Sequence, residues 1–442
     1  MVKVLGVFSQ LKPAKVLVIG DFMLDTYTTG VVERISPEAP VPVLHVQKSE
    51  DVPGGTGNVV LNLLALGAEV IAVGRVGSDL AGERLKHLLE ERGVDTRGIF
   101  VQEGVSTPRK NRLIADGQQL IRIDEECVTP LSEELEQKVL AAIENSAEQI
   151  EVIAISDYAK GFLTPSLLEK VIAFANQKNI PTIVDPKGND FSKYYGATLI
   201  KPNYKEALAA SKLTKETPFE QVGKTLLTES GAEMIMVTRS SQGITLFNKE
   251  GEQINVPVKV REVKDVTGAG DTVLAMTTMS FASNIEIKEA LVLCNVAAGI
   301  AIERLGCASI SLSELAERLL EINLESKIFD EDHLFALEQA LIGKKLTILG
   351  INTQEGVSTS LFTQIQKLSK QKEEERLIVY CADSDPDADL IALLSSLHEV
   401  DFIVVHAKSL ESLVESIHPH QVFTLGSDGT LCALPTIKTL FV

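Results

Sequence analysis

No apolar run in this 442-residue chain is long enough to span a bilayer, and its first residues lack the basic-apolar-small order of a signal peptide. Cysteine is scarce and scattered. Cys127, Cys294, Cys307, Cys381 and Cys432 are odd in number and form no CxxC pair. That pattern excludes a disulfide framework and a thiolate zinc site, and it fits reduced thiols in the cytosol. Positive charge is short as well: 42 Lys and Arg stand against 61 Asp and Glu, a formal net charge of −19. Such a balance argues against a nucleic-acid binder or an anionic-membrane binder. Any phosphate site must be made locally, from a few basic side chains and backbone N–H groups. The expectation is a soluble, cytoplasmic protein.

What is present is ordinary globular material, 45% hydrophobic and 23% charged. The length allows two or three domains of roughly 100–200 residues each. Val16-Leu17-Val18-Ile19-Gly20 is a continuous apolar run that ends at Asp21, with Asp25 a little further on. The same form recurs at Val152–Ser156 before Asp157, at Thr182-Ile183-Val184 before Asp185, at Thr198-Leu199-Ile200 before Lys201-Pro202-Asn203, and at Met234-Ile235-Met236-Val237 before Thr238-Arg239. Helical candidates lie between the runs, at 135–148, 166–176 and 220–229. Short apolar strands alternating with helices predict a parallel sheet covered on both faces, with ligands beyond the carboxyl ends of its strands. Residues 28–48 and 99–125 break the alternation and read as strands without helices. Asp116-Gly117 within them is a hairpin signal. They predict a small β-sheet acting as a lid that excludes water, or else two ordinary surface hairpins.

Two glycine-rich turns enter helical patterns. Gly54-Gly55-Thr56-Gly57-Asn58 lets a sugar approach the backbone, with Asn58 offering amide hydrogen bonds. Its spacing fits neither a Walker A loop nor a dinucleotide fingerprint. Asp265-Val266-Thr267-Gly268-Ala269-Gly270-Asp271 opens a helix whose first N–H groups face any anion present, and its last acid is a proton acceptor. An anion cradle beside a base is what phosphoryl transfer to a hydroxyl requires. Taken alone, the segment also reads as a loop before a core helix.

Together, these two motifs and Asn203-x-x-Glu206 between them make residues 1–320 resemble the ribokinase-like (PfkB) carbohydrate kinases. Within that family the likeness is to heptose 7-phosphate kinases, carried by Arg34-Ile35-Ser36-Pro37-Glu38-Ala39-Pro40-Val41-Pro42, Gln118-Gln119-Leu120-Ile121-Arg122-Ile123-Asp124, Ser156-Asp157-Tyr158-Ala159-Lys160-Gly161, Asp185-Pro186-Lys187-Gly188 and Val237-Thr238-Arg239-Ser240. The resemblance implies transfer from ATP to the anomeric hydroxyl, giving the 1,7-bisphosphate used for lipopolysaccharide inner-core precursors. Asp271 would take the proton, and the N–H groups of Gly268, Ala269 and Gly270 would hold developing charge. Asn203 and Glu206 would place Mg²⁺ through its waters, flanked by Tyr204 and Lys205. Thr238, Arg239, Gly243 and Asn295 would lie near the nucleotide. Asp21, Gly54, Gly55 and Asn58 would bind the sugar, and Lys110, Arg112, Arg122 or Lys187 would meet its phosphate. Each of these cations could equally be a surface ion pair. Asp157 reads as a strand-end cap. Lids of related kinases often pair across a dimer, so a homodimer through the lid is a further expectation.

Past 320 a charged helical linker is expected over 321–343, then a second α/β pattern over 344–442 of roughly one hundred residues. It resembles the nucleotidyltransferase domain of bifunctional heptose enzymes. That family carries His-x-Gly-His after its first strand. Here the stretch is Ile351-Asn352-Thr353-Gln354-Glu355-Gly356-Val357-Ser358-Thr359-Ser360, without histidine, and the late family segment stops at Phe441-Val442. His418 and His420 lie elsewhere. The expectation is a degenerate tail without adenylyltransferase activity. Two other functions stay open: a kinase for another sugar phosphate or a nucleoside, and a non-catalytic sugar- or nucleotide-binding regulator.

Overall fold

The computed structural model describes residues 3–126, 128–258, 263–304, 306–322, 327–369, 375–405 and 409–434. Cys127 and the terminal Phe441-Val442 lie outside them. Two compact units form, Leu11–Ser311 and a second of Met1–Gln10 with Leu312–Val442. The division falls earlier than residue 320, and the first residues join the second unit, where Phe8 stacks on Phe335 at 5.6 Å.

The larger unit is built on a nine-stranded sheet in the order Gln253–Val256, Ile244–Asn248, Met234–Thr238, Leu199–Ile200, Thr182–Asp185, Val152–Ser156, Lys15–Gly20, Glu69–Gly77, Asp95–Gln102. All neighbours are parallel except the two pairs made by Ile244–Asn248. The central strands are buried on both faces, which is why they read as unbroken apolar runs. Leu17 and Ile19 join one core with helices Glu133–Ser146 and Pro165–Lys178. Val16 and Val18, equally buried, face the other side. There, helix Ala269–Ala282 packs on Thr56–Ala65 and Ile287–Ile302. The helix starts are legible: Ser132 and Thr164 cap the N–H groups of Leu135 and Leu167, and Pro165 follows its cap directly.

A separate four-stranded sheet has the order Pro42–Gly55, Phe22–Ile35, Arg109–Ala115, Gln118–Glu125. The expected lid strands are there, with one correction. Residues 99–102 belong to Asp95–Gln102, which hydrogen-bonds Glu69–Gly77 at the edge of the main sheet. Asp116 and Gly117 turn the hairpin with φ of 49° and 77°, both left-handed as a two-residue loop demands.

In the second unit the sheet order is Ile328–Phe329, Phe402–Val404, Glu375–Cys381, Lys345–Ile351, Gln421–Leu425, Leu431–Leu434, parallel but for the last pair. Its core includes Leu349, Ile365, Val379 and Ile403. Residues 321–343 are not one helical linker. Helix Leu312–Ile322 precedes a short strand, Ile328–Phe329, which pairs with Phe402–Val404, and helix Leu334–Leu341 follows. A charged stretch at helical spacing thus supplied an edge strand, because a two-residue strand leaves no periodicity to read. Among the described residues, no helix is long and apolar enough to cross a membrane.

Candidate active site

Asp21 is the only residue between the strand Lys15–Gly20 and the strand Phe22–Ile35, so the chain passes from main sheet to lid at this point. The lid returns through Pro42–Gly55 straight into helix Thr56–Ala65. Gly55 there has φ 56°, and a Cβ on it would lie 2.9 Å from the Asp21 carbonyl oxygen. A Cβ on Gly54 would come within 2.6 Å of the Asp25 carboxyl carbon. Both glycines are therefore needed for the lid strand, the helix and Asp25 to approach one another.

Asn58, in the first turn of that helix, donates from Nδ2 to Asp271 Oδ2 at 2.7 Å. Asp271 stands in the first turn of Ala269–Ala282, after Gly268, which sits at the helix start with φ 79°. Its other oxygen accepts the Tyr158 hydroxyl at 2.7 Å. Burial pushes the Asp271 carboxyl above the ordinary aspartate range, against the Asn58 and Tyr158 donors that pull it down. Behind Gly270, Lys201 pairs with Asp185 at 3.0 Å, and burial raises Asp185 to about 6.

On one side of Asp271 opens a cavity of about 870 Å³. Its wall brings together Asn203, Tyr204, Lys205, Glu206, Thr238, Arg239, Gly243 and Asn295 with Gly268, Ala269, Gly270 and Asp271. Asn203 and Glu206 form a capping box on helix Tyr204–Ser211, each side chain accepting the other's backbone N–H at 3.0 Å. Arg239 lies over the Phe219 ring at 4.4 Å. Asn295 spends its amide on the Val256 carbonyl at 2.8 Å, bracing the cavity wall. Lys187 is on this wall too, 2.9 Å from Glu206. It does not gather with the other three candidate cations, because the strand Thr182–Asp185 ends on the cavity side.

Those three share the lid. Register places Lys110 beside Asp25 and opposite Asp124, and Arg112 beside Tyr27 and opposite Arg122, all on one face. Arg112 is paired with the buried Asp25 at 3.0 Å and lies over the Tyr27 ring at 5.2 Å. Arg122 is exposed and held by Asp124 on its own strand at 2.8 Å, and Lys110 is 3.9 Å from Glu126.

Asp21, expected among the sugar ligands, sits at the turn from main sheet to lid with its carboxylate buried. Its carboxylate accepts the backbone N–H groups of Tyr158, Lys160 and Phe162 at 3.0, 3.1 and 3.3 Å, so its visible work is to hold that loop. Asp157 accepts Ala159 N–H, the Tyr194 hydroxyl and Lys193, a brace of the same loop. Asp25 and Tyr158 went unassigned from sequence. The signal for Asp25 was a carboxylate straight after the apolar Phe22-Met23-Leu24 in a buried strand; Tyr158 lay in the family-like run 156–161, but its partner lies far along the chain.

In the second unit the histidine-free loop is tied down. Thr353, fully buried, donates its N–H to Asp383 at 2.5 Å and accepts the Asp387 N–H at 2.8 Å. At the start of helix Thr359–Ser369, Ser360 donates to the Gly429 carbonyl at 3.0 Å. His420 N–H bonds Leu346, at the amino end of Lys345–Ile351, so His418 and His420 lie at the opposite end of that strand.

The profile of the pfkB family of carbohydrate kinases matches residues 13–315. The bifunctional protein HldE of Geotalea uraniireducens is 38% identical over 96% of this chain and 90% of its own. That of Aliarcobacter butzleri is 34% identical over 94% and 91%. In fold, the chain is similar to Escherichia coli phosphofructokinase-2 solved with potassium, with a TM-score of 0.58, 21% identity and coverage of 71% of this chain and all of that one. It is similar also to Arabidopsis thaliana ribokinase complexed with ribose and ATP, with a TM-score of 0.54, 18% identity and coverage of 70% and 99%. With its glycine turns, its lid and a buried aspartate at a helix start, this chain belongs to the pfkB family of carbohydrate kinases.

Proposed function

We propose that the chain phosphorylates the anomeric hydroxyl of a heptose 7-phosphate, making the 1,7-bisphosphate for the precursors of lipopolysaccharide core. The observation that carries this is the place of Asp271: a buried carboxylate at a glycine-opened helix start, with Asn58 and the lid on one side and the cavity on the other. The sugar lies against Gly54, Gly55, Asn58 and Asp25, under the lid. ATP lies in the cavity, near Thr238, Arg239 and Gly243. Asp271 takes the hydroxyl proton as the oxygen attacks the γ-phosphorus and ADP leaves. The N–H groups of Gly268, Ala269 and Gly270 meet the charge that develops. Burial supports the role of base, since it raises Asp271 toward the working pH.

Among the described residues no group of three or more His, Cys, Asp or Glu is placed to hold a metal directly. Asn203 and Glu206, at the cavity wall with their capping-box bonds, suit an ion held through water and nucleotide phosphates. Mg²⁺ bound there would neutralise phosphate charge. The reaction belongs in the cytoplasm, where ATP is supplied. Two copies pair through the lid, whose Ile121 and Ile123, about half exposed, occupy the face opposite Arg112 by register. The second unit has no adenylyltransferase activity, which accords with the lack of histidine in residues 351–360 and the tied loop at Thr353.

One observation favours a second reading. Lys110, Arg112 and Arg122 each already face a carboxylate, which suits a sugar without the phosphate. ADP release with a panel of heptose 7-phosphate, other sugar phosphates, free sugars and nucleosides decides the matter. A kcat/KM for heptose 7-phosphate at least tenfold above all others supports the first reading. Preference for a free sugar supports the second, and binding without turnover of any member contradicts both.

A further inference from the structure

The loop after strand Val152–Ser156 is held far more tightly than a surface turn needs. Ala159 has φ 55°, a left-handed conformation that is strained for a residue with a Cβ. Gly161 has φ 89°, and a Cβ there would lie 2.4 Å from the Thr129 carbonyl oxygen. Two buried charges bear on this loop, Asp21 directly and Arg75 by joining it to the segment at Thr129. Asp21 accepts three of its N–H groups, and Arg75 donates to the carbonyls of Lys160 and Thr129 at 2.8 and 2.7 Å. Such strain and desolvation persist where the surroundings enforce them, commonly at functional sites. The side chain that this loop brings to Asp271 is Tyr158, its hydroxyl 2.7 Å from Oδ1.

We propose that Tyr158 is a positioning residue for Asp271, fixing its rotamer and keeping it ionised for proton transfer. The proposal rests on Asp271 being the base. With Asn58 on one oxygen and Tyr158 on the other, rotation of the carboxylate is blocked, and one lone pair on each oxygen stays open. A phenol can donate to the carboxylate more strongly than to the neutral acid, so it favours the charged form. Burial pushes the Tyr158 hydroxyl well up, so it stays a donor at every working pH. The other groups facing Asp271 are Lys201, which favours its charge, and Asp25 and Asp185, which oppose it. The Cys307 thiol also faces it and is neutral, pushed up to about 12 by burial. Tyr158 and Asn58 are thus the neutral donors that offset burial.

The test is the pH profile of kcat for the full chain, comparing wild type, Tyr158→Phe and Asp271→Asn. For Tyr158→Phe the expected kcat at neutral pH is lower by roughly 10- to 100-fold. KM for both substrates stays within about twofold, and the acid limb moves to higher pH, so alkaline buffer restores part of the rate. A merely structural loss would lower kcat without moving that limb. Site-specific 3-fluorotyrosine at 158, a stronger donor of similar size, should move the limb down, and this arm stands even if Tyr158→Phe folds poorly. Limbs that stay in place in both variants overturn the proposal alone. Wild-type turnover by Asp271→Asn overturns the base assignment and the proposal together.

Discussion

Asn58 and Asp271 are 213 positions apart in sequence and 2.7 Å apart in space. One turn further along the first of these helices, Asn62 Oδ1 accepts the hydroxyl of Thr272, the residue after Asp271, at 3.1 Å. These bonds fasten the helix that follows the lid to the helix that carries Asp271. Asn58→Ala leaves a buried carboxylate oxygen without its donor, which costs about 1–3 kcal/mol of stability. Losing a donor that lowers the Asp271 pKa also moves the acid limb of kcat to higher pH. Urea unfolding and a pH-rate profile check the two effects. An unchanged profile would mean that Asn58 only packs.

Arg112 shields Asp25 from being a lone charge inside the lid. Both side chains are largely buried, 12% and 5% exposed, so removing one strands the other. Arg112→Met should destabilise the chain by about 3 kcal/mol, with much of the loss recovered in Asp25→Leu/Arg112→Met. Guanidinium unfolding of Arg112→Met, Asp25→Leu and the double variant closes the cycle. Additive losses would show that the pair is not coupled.

Asp79 ties the helix Leu80–Glu90 to the base of the lid. It accepts the Gly82 N–H at 2.8 Å and both the N–H and hydroxyl of Thr107 at 2.7 Å. Asp79→Ala costs about 1–2 kcal/mol at neutral pH. The hydrogen bonds hold the folded carboxyl below its ordinary 3.8, so this stability is full above that value and disappears as pH falls through the lowered one. Thermal melts of both proteins should converge in acid, and a gap that persists there would contradict the capping account.

The sheet was legible because strands buried on both faces must be apolar throughout, as in Val152–Ser156, and because polar residues at their ends mark the ligand side. The cavity wall was legible for the same reason: Asn203, Thr238 and Asp271 all follow apolar runs or glycine turns. What stayed hidden depends on distant partners. Asp21 holds a loop more than 130 residues away, Lys187 turns to Glu206, and Tyr158 reaches Asp271 across 113 positions. No local pattern records those choices. The strand Ile328–Phe329 was invisible for another reason, since two residues make no period.

In the proposed reaction Asp271 takes the proton from heptose 7-phosphate, and the second unit transfers no nucleotide. Phosphorus-31 NMR of the full chain with ATP, Mg²⁺ and heptose 7-phosphate tests it most directly. ADP and a new anomeric phosphate should appear together with wild type and vanish with Asp271→Asn, while added heptose 1-phosphate yields no pyrophosphate. Turnover that survives Asp271→Asn, or pyrophosphate released by wild type, would contradict the account.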